Sequence, residues 1–119
     1  MFLIRFYKTN KGSIPVLELL DSLIDSKSKE SRIRFKKIDL YIKVLKRFGL
    51  NAGYPYIKKL NDDIWELRPL KYRILFFQHK NTFVLLHWFY KKTNKTPKAE
   101  IEKAIKEMKQ YLLEENTNE

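Results

Sequence analysis

Six cationic side chains fall where a run of short strands would gather them, and phosphate is the ligand such a gathering suits. Lys58 and Lys59 sit in one β-prone segment and Arg68 closes the next. Arg73 opens a third, and Lys91 and Lys92 follow a fourth. Arg68 and Arg73 flank the turn Pro69-Leu70-Lys71, so antiparallel neighbours bring them to the same end of a sheet. The fourth segment runs antiparallel to the third and returns Lys91-Lys92 to that end. Such a cluster is either a solubilising rim or a surface facing nucleic acid. Convergence of sequence-distant cations beside Tyr72, Trp88 and Tyr90 favours RNA, because cations neutralise phosphate and rings stack on splayed bases. Arg73 leads an apolar run that would hold it firmly, and its planar fork suits two phosphate oxygens at once.

The acids and imidazoles are fewer. Glu66 lies two residues before Arg68, so both point to one sheet face. It is either an ion-pair partner or a proton acceptor. His87, inside an apolar strand, reads as a hydrogen-bonded core residue or a base, and His79 sits in a hairpin turn. Lys29, Arg32, Lys36, Lys43 and Arg47 recur at helical spacing. They form a solvent face or add non-specific affinity for RNA.

Composition removes other chemistries. The chain has 119 residues with 25 Lys and Arg against 14 Asp and Glu, a net charge of +11 that points to a polyanionic or acidic partner. Cysteine is absent, which excludes disulfides, thiol catalysis and Cys-ligated zinc. Two His make a multi-imidazole metal site an unfavoured reading, and no P-loop or nucleophile elbow is present. No apolar run approaches the ~20 residues of a membrane span. Met1–Tyr7 is too short, and too charged at Arg5, for a signal peptide, so the cytoplasm is the expected compartment.

The elements that must position these residues are legible as one α+β domain over 1–119, with a frayed polar tail expected over 114–119. Phe2–Tyr7 reads as a strand. Ser13 is placed to cap a helix with Pro15 in its first turn and Val16, Leu20, Leu23 and Ile24 on its apolar face. A longer helix is predicted from Ser28 to Phe48, with Phe35, Ile38, Ile42, Leu45 and Phe48 inward and Gly49 as its stop. Strands follow over Ile57–Leu60, Ile64–Arg68, Tyr72–Gln78 and Thr82–Tyr90. The last two are apolar on both faces and therefore central. Thr96 and Pro97 open a last helix with Ile101, Ile105, Met108 and Leu112 inward. The order is β-α-α-β-β-β-β-α, a helical hairpin and a C-terminal helix on an antiparallel-dominated sheet. Phe35, Ile42, Leu45, Ile74, Phe76, Leu85, Ile105 and Met108 are expected to share one core.

Ile64-Trp65-Glu66-Leu67-Arg68-Pro69, then Tyr72-Arg73-Ile74-Leu75-Phe76-Phe77, then Leu85 through Thr93 and Lys95-Thr96-Pro97 form one ordered series. With Gly53-Tyr54-Pro55 and Lys58-Lys59-Leu60 before it and Glu100-Ile101 and Ala104 after it, this series resembles the phage-derived Gp49-like, HigB-type toxins of the RelE/ParE superfamily. The resemblance implies a RelE-like fold and a bacterial type II toxin–antitoxin toxin. It implies an mRNA endonuclease that acts on the ribosome, cutting the message in the A site without metal or cofactor. The implied partners are the ribosome and mRNA, and a HigA-type helix-turn-helix antitoxin through which alone DNA is met. Carried onto this chain, it implies Arg73 as main phosphate clamp, with Arg68 and Lys92 supporting. A crowded lysine pair gives up a proton more readily than a lone one, which makes Lys91 a candidate proton acceptor beside Glu66. Lys58, Lys59 and Tyr90 are the RNA-binding candidates. RelE-like nucleases often carry a tyrosine or histidine near the C-terminal element, where this chain has Pro97 and Lys98. The implied chemistry is attack of the RNA 2′-hydroxyl on the adjacent phosphate, leaving a 2′,3′-cyclic phosphate. Two other readings share these residues: a ParE-like toxin binding a protein such as DNA gyrase, and a basic RNA-binding module without catalysis.

Overall fold

The computed structural model describes residues 1–117. Strand β1 is Leu3–Phe6, helix α1 Pro15–Asp25 and helix α2 Lys29–Phe48, followed by a 3-10 turn at Gly49–Ala52. Strands β2 (Ile57–Lys59), β3 (Trp65–Leu67), β4 (Tyr72–His79) and β5 (Thr82–Tyr90) precede helix α3 (Lys98–Thr117). The sheet is five-stranded in the order β1-β5-β4-β3-β2; β1 runs parallel to β5 and every other pair is antiparallel. This is the predicted α+β order, compatible with a RelE-like fold.

The expected single core is two. Side chains alternate along a strand, so β4 and β5, apolar on both faces, need cover on both. Ile38, Ile42 and Leu45 of α2 and Val16, Leu19, Leu20 and Leu23 of α1 pack with Ile74, Phe76, Phe83 and Leu85 on one face. Ala104, Met108 and Tyr111 of α3 pack with Ile64, Leu75, Phe77, Val84 and Leu86 on the other. Ile105 and Met108 are thus separated by the sheet from Phe35, Ile42 and Leu45.

Local differences have local causes. Ile14, not Ser13, is the N-cap of α1; Glu18 Oε2 accepts from the Ile14 N–H at 2.8 Å, and the Ser13 hydroxyl supports Glu18. Ile24 is exposed and Leu19 takes its place inside. Ser28 caps α2 through the Ser31 N–H at 3.1 Å. Gly49 ends that helix at φ +59, where a Cβ would stand 2.5 Å from the Phe2 ring, so both the angle and the space call for glycine. Phe48 just before it is exposed.

The buried stripe of α3 is Ala104, Glu107, Met108 and Tyr111, while Ile101, Ile105 and Leu112 are half-buried. A glutamate on that stripe hid its position from an apolar pattern. The helix also continues through Thr117 where a frayed tail was expected, because Arg5 Nη1 donates to Tyr111 Oη at 2.8 Å and to Glu115 at 2.7 Å. Asn118 and Glu119 lie outside the described residues.

Candidate active site

Strand register builds the site in two rows on the face that α3 covers. Arg73 pairs with Phe89 across β4 and β5, and Glu66 and His87 flank Leu75 in the next row inward. Arg68, one residue past β3, extends the β2–β3 ladder by donating its N–H to the Tyr56 carbonyl at 2.9 Å, and the Leu67–Ile74 pairing on the other side of β3 brings it beside Arg73. A register shift leaves Leu86 without a partner opposite Leu75 and Phe76. Such a bulge re-aims the following side chain, and His87 turns under α3 with Leu86.

Arg73 is the deepest of the cations. It is 6% exposed, and its Nη1 donates to the carbonyls of Leu70 at 3.0 Å and Tyr72 at 2.7 Å. One arm of the guanidinium, Nη1, thus braces the Pro69–Lys71 turn. Burial, and then the like charge of Arg68, pull the Arg73 guanidinium below its ordinary pKa, with Glu66 opposing.

Arg68 stands outside it, with its side chain 16% exposed. Its Nε lies 3.3 Å from Glu66 Oε2, and its guanidinium sits 5.3 Å over the exposed Tyr54 ring. Arg68 Nε is buried yet lacks a hydrogen bond, so the Glu66 contact is one of charge rather than a well-aimed donor. Glu66 is 2% exposed, and its Oε1 accepts from Thr96 Oγ1 at 2.5 Å. Both Glu66 oxygens are therefore engaged, which is the ion-pair reading of this residue.

The remaining candidates ring the same sheet end. The Lys91 N–H donates to the Lys71 carbonyl at 2.8 Å, extending the β4–β5 ladder, and its side chain is half-buried. Lys92 is exposed and lines a cleft of about 570 Å³ with Phe89, Tyr90, Thr93, Pro97 and Glu100. Tyr90 meets Tyr72 edge-on at 5.1 Å, with the Arg34 guanidinium 6.0 Å from its ring centre. Lys58 pairs in register with Glu66, and Lys58 and Lys59 line a second, shallower groove with Leu60, Lys95, Thr96 and Ile101. Thr96 and the start of α3 separate the two grooves. Among the described residues, Lys58, Lys59, Lys91 and Lys92 form no ion pair, so their charge is available to a ligand.

Beneath α3 lies a group that sequence reasoning placed only in part. The ring nitrogens of the buried His87 face two carboxylates: Nδ1 meets Glu107 Oε1, and Nε2 lies 3.1 Å from Glu100 Oε1. Among the described residues, no group of His, Asp and Glu is arranged to hold a metal ion. His87 was legible as a hydrogen-bonded core residue, but its partners were not. Glu100 read as an acid in a first helical turn, and nothing in the sequence singled out Glu107. The one available signal was spacing, since residues 100, 104, 107 and 111 share a helix face.

Residues 24–109 match the family described as phage derived protein Gp49-like (DUF891). The chain belongs to the Gp49-like family. No curated protein matches it. The Gp49-like match runs from the end of α1 to Lys109 in α3, so every residue of the cationic sheet end lies inside it. The Gp49-like family is associated with the toxins of toxin–antitoxin systems. What this Gp49-like site offers chemically is a positive rim, the Phe89 and Tyr90 rings beside it, and carboxylates held at fixed points under and within a cleft.

Proposed function

We propose that this Gp49-like protein is the toxin of a type II toxin–antitoxin system, a HigB-type member of the RelE/ParE superfamily that cuts mRNA on the ribosome. One observation carries the reading. One accessible cation at this sheet end, Lys92, shares a cleft with a carboxylate, Glu100. A surface that only bound RNA would need the cations and rings alone.

Lys92 and Arg68 meet the scissile phosphate from the open side, and Arg73 lies below them as a fixed positive charge that also braces the turn. The 2′-oxygen attacks phosphorus, charge builds on the non-bridging oxygens, and pre-placed cations lower the barrier because they need not reorganise. Tyr90, Lys58 and Lys59 extend the contact to neighbouring nucleotides. No described helix is long and apolar enough to cross a membrane. The bacterial cytoplasm is the compartment this activity requires.

A HigA-type antitoxin is the proposed neutralising partner, covering the basic face with an acidic or mixed segment and linking the toxin indirectly to DNA. The net charge of +11 supports electrostatic steering of that encounter. Association rates measured by stopped flow should fall steeply between low and high salt. Rates indifferent to salt would remove steering from the explanation.

The nuclease reading is tested in a purified translation system alongside a gyrase supercoiling assay. Cleaved message with unaffected supercoiling is expected. Intact message with inhibited supercoiling would indicate a ParE-like gyrase poison, and neither effect would leave a binding module.

A further inference from the structure

Glu100 belongs to two environments at once. Its Oε1 lies 3.1 Å from His87 Nε2 beneath α3, and its side chain also walls the 570 Å³ cleft beside Lys92. His87 is 2% exposed, and its Nδ1 is held by Glu107. Each ring nitrogen faces one carboxylate, so His87 links Glu107 to Glu100 whichever nitrogen carries the proton. Glu100 is thereby oriented through one oxygen, and its Oε2 is left for whatever occupies the cleft.

We propose that Glu100 is the proton acceptor for the substrate 2′-hydroxyl in this cleft, with His87 and Glu107 as positioning residues behind it. The proposal rests on the nuclease reading above. A clamp that merely held α3 to the sheet is already supplied by Glu107, whose side chain is 10% exposed, whereas that of Glu100 is 28% exposed and reaches solvent. Glu66, the acid nearest the arginines, has both oxygens committed to Thr96 and Arg68 and is nearly sealed. In the step, the 2′-hydroxyl proton passes to Glu100 Oε2 as the 2′-oxygen bonds to phosphorus. The bond from phosphorus to the 5′-oxygen breaks, and that oxygen takes a proton from water. Glu100 later returns its proton to solvent. Lys92, which lines the same cleft, faces the charge that builds on the phosphorane.

The experiment is single-turnover cleavage of a ribosome-held message by wild type, Glu100→Gln and Glu100→Ala. Ribosome co-sedimentation and melting curves are run on each, and the Glu100→Ala reactions are repeated with added formate. Glu100→Gln should bind ribosomes and melt like wild type but cut roughly 10²–10⁴-fold more slowly. Formate should restore part of the Glu100→Ala rate by supplying the missing carboxylate, a result that a purely structural role would not give. Formate also keeps the test decisive if Glu100→Gln melts early. Cleavage by Glu100→Gln at the wild-type rate, or no rescue of Glu100→Ala, would overturn the assignment while leaving the nuclease reading standing. A wild type that leaves message intact would remove both.

Discussion

Lys92→Ala is expected to slow message cleavage by roughly 10²–10³ without moving the melting temperature, because it removes a charge that acts on the transition state alone. Lys92 is exposed, has no ion pair among the described residues and lines the cleft, so nothing in the fold depends on it. The neighbouring arginines should behave differently, in a graded way. Arg68→Ala should lose comparable activity and also some stability, since the buried Glu66 is left with Thr96 as its remaining partner. Arg73→Ala should cost about 1–3 kcal/mol of stability, because the Leu70 and Tyr72 carbonyls lose the donor that braces their turn. Arg73→Lys cannot repair both carbonyl contacts and supply a fork. Cleavage rates and urea melts on the three variants separate these roles. Near-normal cleavage by a folded Lys92→Ala protein would move the phosphate contact away from the cleft, toward the groove of Lys58 and Lys59.

Phe76→Ala should destabilise the protein by ~3–5 kcal/mol, close to the limit that a small domain tolerates. Phe76 is fully buried at the centre of the sheet and meets Phe83 edge-on at 5.6 Å. It touches the core under α1 and α2, so the cavity would open where rigid strands cannot collapse. Phe35→Ala should cost clearly less, because that ring is half-buried at the margin of the same core. Chemical unfolding of both variants gives the comparison. Equal losses, or a Phe76→Ala protein as stable as wild type, would mean that the sheet does not carry the core in the way described.

Element order was readable because the signals are local. Thr82–Tyr90 was legible to the residue from its β-rich run and the turn before it. Gly49 marked the end of α2 through capping chemistry that needs no tertiary context, and the apolar spacing up to Phe48 set its extent. The gathering of Arg68, Arg73 and Lys92 at one sheet end followed from hairpin connectivity alone. What sequence left hidden was depth. Arg73 looks like any surface arginine until the turn it braces is seen to fold over it. Likewise, no residue type singles out Glu107; it meets His87 because the bulge at Leu86, a feature with no residue-type signature here, turns that ring toward it. The division into two cores was implicit in strands apolar on both faces, but which helix covered which face depended on the crossover from β1 to β5.

Primer extension along a defined message, with stalled ribosomes present or omitted, decides whether the protein is a nuclease of the translating ribosome. Wild type should cut within the A-site codon only when ribosomes are present, leave a 2′,3′-cyclic phosphate, and lose both effects in Lys92→Ala. A full-length message at a protein concentration that halts translation would contradict it.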